Sequence, residues 1–124
     1  MGVVYYANYF VWFEMGRSEY CRRRGFNYLD LEELGYRLVV AEALCKYRRP
    51  ACYDEVVTVR TALQAFRRRS VTFGYQVVRK APGETLVEGQ TKHLCIDAAG
   101  RITTIPDPYF TYLASGPRCD DPHA

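Results

Sequence analysis

The sequence predicts an α+β domain in which one long helix precedes four long antiparallel strands. Three observations carry that reading. Tyr9, Phe13, Gly16 and Tyr20 recur at the spacing of one helix face. Four later runs are rich in β-branched residues and alternate in part between apolar and polar. Glycine-containing turns divide the later runs. At 124 residues, 48% hydrophobic and 25% charged, the chain suffices for one core but not two, and it is too apolar to be disordered.

The helix runs over 7–24, with Trp12 beside its apolar face and Asn8 as its N-cap. Arg22, Arg23 and Arg24 close it where the helix dipole is negative, and Gly25 follows as the C′ residue, so this basic run reads as a solvated helix end. A second, short helix is expected in NYLDLEELG (27–35), capped by Asn27 and stopped by Gly35. The strand runs are LVVAEALCKYRR (38–49), EVVTVRTALQAF (55–66), SVTFGYQVVRK (70–80) and TLVEGQTKHLCID (85–97). Val71, Phe73, Tyr75 and Val77 alternate most clearly. Pro82 and Gly83 set the turn between the last two runs, and DAAGR makes another. After it 102–105 extends the sheet briefly, Asp107 caps a final helical turn with Pro108 at its first position, and 115–124 is a polar tail. The domain therefore spans 1–114.

Composition excludes several function classes. The formal charge of +3 is too small to imply nucleic acid, and the arginine runs show no interleaved aromatics on one face. Five cysteines, odd in number and without a C-x-x-C pair, together with two histidines, predict neither a metal site nor a disulfide framework. No apolar stretch reaches the length of a membrane span, and the cytoplasm is the expected compartment. Eleven tyrosines, each with an apolar ring and a polar tip, fit an interface or a half-wet pocket.

The segments GVVYYANYFVWFE (2–14), RRPACYDEVVTV (48–59), SVTFGYQVVR (70–79), GQTKHLCID (89–97) and GRITTIP (100–106) resemble, in the same order, the hotdog-fold acyl-CoA thioesterases of the 4-hydroxybenzoyl-CoA thioesterase type, including the Tol-Pal-associated enzymes. The resemblance implies a hotdog fold, a long central helix wrapped by an antiparallel sheet, in homodimers or homotetramers that act on acyl-CoA without a cofactor. The family motif D-x-x-G-[IV]-V-[YF], followed by Tyr or His, matches from Gly2, with Tyr5 and Tyr6 as the aromatic pair. The motif Asp would fall two residues before Met1, and the strand that leads into it is likewise not in this sequence. A late-assigned start, a trimmed chain and a natural loss of the carboxylate all fit.

The chemistry follows from what a thioester demands. Hydrolysis needs a nucleophile or base near the carbonyl carbon and donors where charge develops on its oxygen. A helix N-terminus supplies free amides and partial positive charge. Gly2 lets a backbone come close, and the resemblance gives the Tyr6 amide the oxyanion role. A Tyr side chain at this place is a poor base near neutral pH, so the carboxylate carries more of the work. Glu14, Glu19 and Asp54 are substitute acids, although Glu14, two turns along the helix, reads first as a structural or interface hydrogen bonder. His93 reads as a satisfied interior or interface residue before a base, and Cys45 and Cys95 as apolar strand residues before nucleophiles. Arg67, Arg68 and Arg69 lie between two strands and serve equally as CoA-phosphate ligands or as a solvated turn. The expected function is hydrolysis of short-chain or aromatic acyl-CoA to free acid and CoA. Its alternative is a non-catalytic acyl-thioester-binding or scaffold protein of the same fold.

Overall fold

The β-branched runs and the helical period become seven elements in the computed structural model, which describes residues 7–25, 28–49, 56–79, 83–107 and 109–115. These are α1 (Ala7–Arg23), α2 (Tyr28–Glu33), β1 (Arg37–Tyr47), β2 (Val57–Phe66), β3 (Ser70–Arg79), β4 (Thr85–Ile96) and α3 (Tyr109–Ala114). Each strand lies within two residues of its expected span. One cap differs: α1 begins at Ala7, a strong helix former, so Asn8 belongs to its first turn. Gly35 ends α2 with φ +91°, a conformation that a side chain would strain.

The strands form one antiparallel sheet in the order β1-β4-β3-β2. Consecutive β1 and β2 thus stand at opposite edges. The β2–β3 hairpin closes with the Arg67 N–H on the Ser70 carbonyl, and β3–β4 with the Arg79 N–H on that of Glu84. Beyond β4, Asp97 heads a turn, its carboxylate accepting from the Ala99 and Arg101 amides. The expected extension of the sheet shrinks to a single bridge between Ile102 and Ile96. The Ile105 amide turns instead to the Arg68 carbonyl at 2.7 Å.

Strand register explains how α1 is seated. Thr61, Tyr75, Gly89 and Cys45 pair in one row across all four strands. Phe13 stacks on Tyr75 with ring centroids 4.3 Å apart and planes at 8°. The row is small on both sides of Tyr75: a Cβ on Gly89 would sit 2.5 Å from the Phe13 ring, and one on Gly16 would collide with the Thr61 hydroxyl. Tyr9, nearer the helix N-terminus, meets Tyr47 of β1 at 5.3 Å. Tyr20, three turns on, meets Phe73 of β3 at 5.5 Å and donates to the Leu113 carbonyl of α3. The N-terminal end of the helix therefore lies toward Tyr47 and its C-terminal end toward Phe73. Phe13 of α1 and Phe73, Val71, Val77, Leu86, Val87 and Cys95 of the sheet are fully buried. Burial of these side chains, each stabilising by about 1.5–3 kcal/mol relative to exposure, holds the helix to the sheet.

Candidate functional site

The segment that brings the chain into α1 holds Gly2, Tyr5 and Tyr6, which lie outside the described residues, as does Asp54. What is described is the surface on which that helix end rests. Tyr9 meets Trp12 edge-on at 5.2 Å and Tyr47 at 5.3 Å, giving the N-terminal half of α1 an aromatic setting.

Farther along α1 the sequence hides a polar chain under apolar packing. Arg17 Nη1 donates to the Tyr75 hydroxyl at 3.1 Å. That hydroxyl lies 2.6 Å from Thr91 Oγ1, which lies 2.8 Å from His93 Nε2. Tyr75, Thr91 and His93 are all buried, His93 to 1% exposure. Sequence reading placed His93 in the interior or at an interface and missed the chain of Thr91, Tyr75 and Arg17 that ends on it. The available signal was Thr91 and His93 two apart on one strand, both on its inward face.

Burial, then the Arg17 charge, lowers the His93 pKa to about 4, with the Leu38 backbone acting in the opposite direction. The sign of the resulting pH dependence is fixed. The unfolded chain takes up a proton on His93 below about 6.5 and the folded chain only below about 4. Stability from this group is therefore fully present above 6.5 and lost as pH falls toward 4. Urea unfolding at stepped pH should show a loss of about 3 kcal/mol across that window. His93→Gln should flatten it, and an unchanged slope in that variant would assign the loss to other groups.

The other candidates separate. Glu14 is exposed on α1 and lines a cavity of about 220 Å³ that reaches His93. Glu19 is occupied by Arg22 at 2.6 Å and Arg23 at 3.0 Å, and the Arg22 hydrogen bond leads in lowering its pKa. Burial raises the Cys45 and Cys95 thiols, which disfavours the thiolate that a nucleophile needs. No group of three or more His, Cys, Asp or Glu side chains among the described residues is arranged to hold a metal ion.

Arg67, Arg68 and Arg69 share the β2–β3 turn and are exposed. Arg68 is engaged, its guanidinium 5.5 Å from the centroid of the Phe110 ring. The turn sits toward the C-terminal end of α1, roughly 25 Å along a 17-residue helix from its start. Neither the 220 Å³ cavity nor a larger one of about 430 Å³ includes these arginines. The larger cavity lies mainly on the sheet face turned away from α1, between Leu44, Lys46, Arg60, Gln64, Gln76 and Gln90.

The family model described as Thioesterase superfamily matches residues 1–86, from the motif before α1 into β4. A hypothetical protein of Thermus thermophilus, solved by crystallography, superposes with a TM-score of 0.85 at 36% identity, over 92% of this chain and 86% of that one. A DHNA-CoA thioesterase of Staphylococcus aureus superposes at 0.79 with 30% identity, over 84% and 70%. The acyl-CoA thioester hydrolase YbgC of Escherichia coli is 29% identical over 96 residues, 77% of this chain and 71% of that protein. The antiparallel sheet with its helices is accordingly a hotdog thioesterase fold, as expected.

Proposed function

This chain belongs to the thioesterase superfamily, and from that premise we propose that it hydrolyses short-chain or aromatic acyl-CoA thioesters to free acid and CoA, as an enzyme nearest the 4-hydroxybenzoyl-CoA type. The observation that carries the proposal is the family match over residues 1–86, which takes in both the glycine-aromatic motif and the helix that follows. The names of two relatives, an acyl-CoA thioester hydrolase and a DHNA-CoA thioesterase, support the thioester class and an aromatic acyl group.

In this reading the long helix is the centre around which the sheet wraps, and its first turn is the catalytic end. The thioester carbonyl lies at the Tyr6 amide, which donates to the oxygen as charge develops there. Gly2 and Tyr5 shape the approach. In the thioesterases that this chain resembles, the motif carboxylate, whose place falls two residues before Met1, either attacks the carbonyl carbon, expelling the CoA thiolate to leave an acyl-enzyme that water hydrolyses, or activates a water that attacks directly and expels the thiolate. Glu14, exposed on the same helix, is the weaker candidate acid.

The CoA phosphates are assigned to the β2–β3 turn, where Arg67, Arg68 and Arg69 are all exposed and Arg68 also stacks over Phe110. Reversing two of them, Arg67→Glu with Arg69→Glu, should raise KM roughly tenfold with kcat retained, and the wild-type KM should climb with salt. An unchanged KM would return these arginines to a solvated turn.

Assembly enters because β1 is an edge strand of eleven residues whose Val40, Leu44 and Tyr47 are 53%, 46% and 49% exposed. A long apolar edge is a template for pairing, and a second copy of the same strand satisfies it with two-fold symmetry. Light scattering at micromolar concentration should give at least twice 14.3 kDa. A monomer would remove β1 from the reading. The cytoplasm remains the proposed compartment, and no helix among the described residues is long and apolar enough to cross a membrane.

A further inference from the structure

Strand register also fixes what the sheet shows on its other side. The helices pack on the Tyr75 face, and no element among the described residues covers the opposite one. Taken in the order β1, β4, β3, β2, the residues that alternate with the Tyr75 face form three rows there. The first is Lys46, Glu88, Gln76 and Arg60, the second Leu44, Gln90, Gly74 and Ala62, and the third Glu42, Lys92, Thr72 and Ala65. The middle row is short on β3 and β2, which opens the cavity of about 430 Å³. Its β1 member, Leu44, is apolar yet 46% exposed. The charges on either side are mirror opposites: positive then negative along β1, from Lys46 to Glu42, and negative then positive along β4, from Glu88 to Lys92.

We propose that this face docks a second copy of this chain, face to face, about a two-fold axis that lies along the middle row. That rotation keeps each strand over its own counterpart and reverses its direction, so the first row meets the third. Lys46 then faces Glu42 of the second copy and Glu88 faces Lys92, each contact occurring twice. An axis parallel to the strands would instead lay β1 over β2 and set Lys46 against Arg60, a like-charge contact. Glu88 already holds Arg48 at 3.2 Å, so the β1 pairs carry most of the complementarity. With β1 paired edge to edge about Leu44, the two axes cross at that residue and four Leu44 side chains converge, an apolar centre inside a charged rim. The area fits four copies better than two. One such face offers about 400 Å², half of the roughly 800 Å² per partner of a stable interface, and the joined sheets of a β1 pair supply both halves. The four-copy form rests on the β1 pairing given above; the contact between faces does not, and neither depends on thioester chemistry.

Light scattering over a dilution series at low salt tests it on the 124-residue protein, with circular dichroism as the check on folding. The mass at micromolar concentration should be four times 14.3 kDa. Lys46→Glu sets like charges across the axis and should raise the dissociation constant between faces roughly tenfold or more, leaving a dimer on dilution. Adding Glu42→Lys to it should restore the larger mass. Within one sheet the paired neighbours of these two positions remain Glu88 and Lys92, so the double variant keeps both like-charge strains there. Its rescue therefore reads the contact between copies and not the stability of the sheet. Gln90→Lys, which meets itself on the axis, should weaken assembly without touching β1. A wild-type monomer, or a mass that neither single substitution changes, would overturn the proposal. So would loss in Lys46→Glu without rescue by Glu42→Lys. A wild-type dimer that both single substitutions split would uphold this face and contradict the β1 pairing.

Discussion

Phe13→Ala is expected to destabilise the protein by about 3–5 kcal/mol, the range for emptying a buried aromatic site. Phe13 is 0% exposed, stacks on Tyr75 and meets Phe10 edge-on at 5.7 Å. Loss of the stacked pair contributes about 0.5–1.5 kcal/mol beyond the buried area. The cavity would open between α1 and the middle row of the sheet, so the helix would lose its register as well as its anchor. Urea denaturation followed by circular dichroism measures the change. A loss under about 1 kcal/mol would mean that Phe13 does not seat the helix.

Gly89→Val is expected to do more, abolishing stable folding or turnover altogether. Gly89 is needed for space rather than for a special dihedral. Its added Cβ would lie 2.5 Å from two Phe13 ring carbons and 2.8 Å from the Leu44 carbonyl oxygen. The last of these is backbone of the neighbouring strand, which cannot step aside without breaking the β1–β4 ladder. Even alanine there should cost about 1–3 kcal/mol, and valine adds two further methyl groups to a filled site. Gly16→Ala is the informative contrast, because the obstructing atoms are the Thr61 and Val59 side chains and not the backbone of a paired strand. Amide hydrogen exchange on β1 and β4 should show the strand pair opening in Gly89→Ala and remaining protected in Gly16→Ala. Equal protection in both would contradict the close approach at Gly89.

The helix and strands were legible because their periods are strong. The Tyr9, Phe13, Gly16 and Tyr20 face is the face that packs, and all four β-branched runs became strands. The order β1-β4-β3-β2 was not legible, since alternation says which face a residue takes but not which strand is its neighbour. Gly89 offered no signal of its own: its role appears only when Phe13, 76 positions earlier, is laid across it. The polar chain was half legible for the same reason. His93 and Thr91 are close in sequence, while Tyr75 and Arg17 join them through the fold. The arginine turn was found as a cluster, yet its distance from the start of α1 follows from the direction in which the helix lies. The proposed catalytic residues Gly2, Tyr5 and Tyr6 rest on motif and family, as they lie outside the described residues.

Thiol release from benzoyl-CoA and short-chain acyl-CoA tests the catalytic assignment most directly, measured on two forms of the protein. One is a polypeptide of these 124 residues; the other is extended by a strand that places Asp or Asn two residues before Met1. The 124-residue form should bind acyl-CoA and turn it over slowly. The Asp extension should raise kcat by roughly a hundredfold or more with a smaller change in KM, the pattern of an interaction made mainly in the transition state. The Asn extension should fold equally well and lose the gain. Equal rates for the Asp and Asn forms, or a 124-residue form already as fast as the Asp extension, would contradict the carboxylate assignment and turn attention to Glu14 and His93.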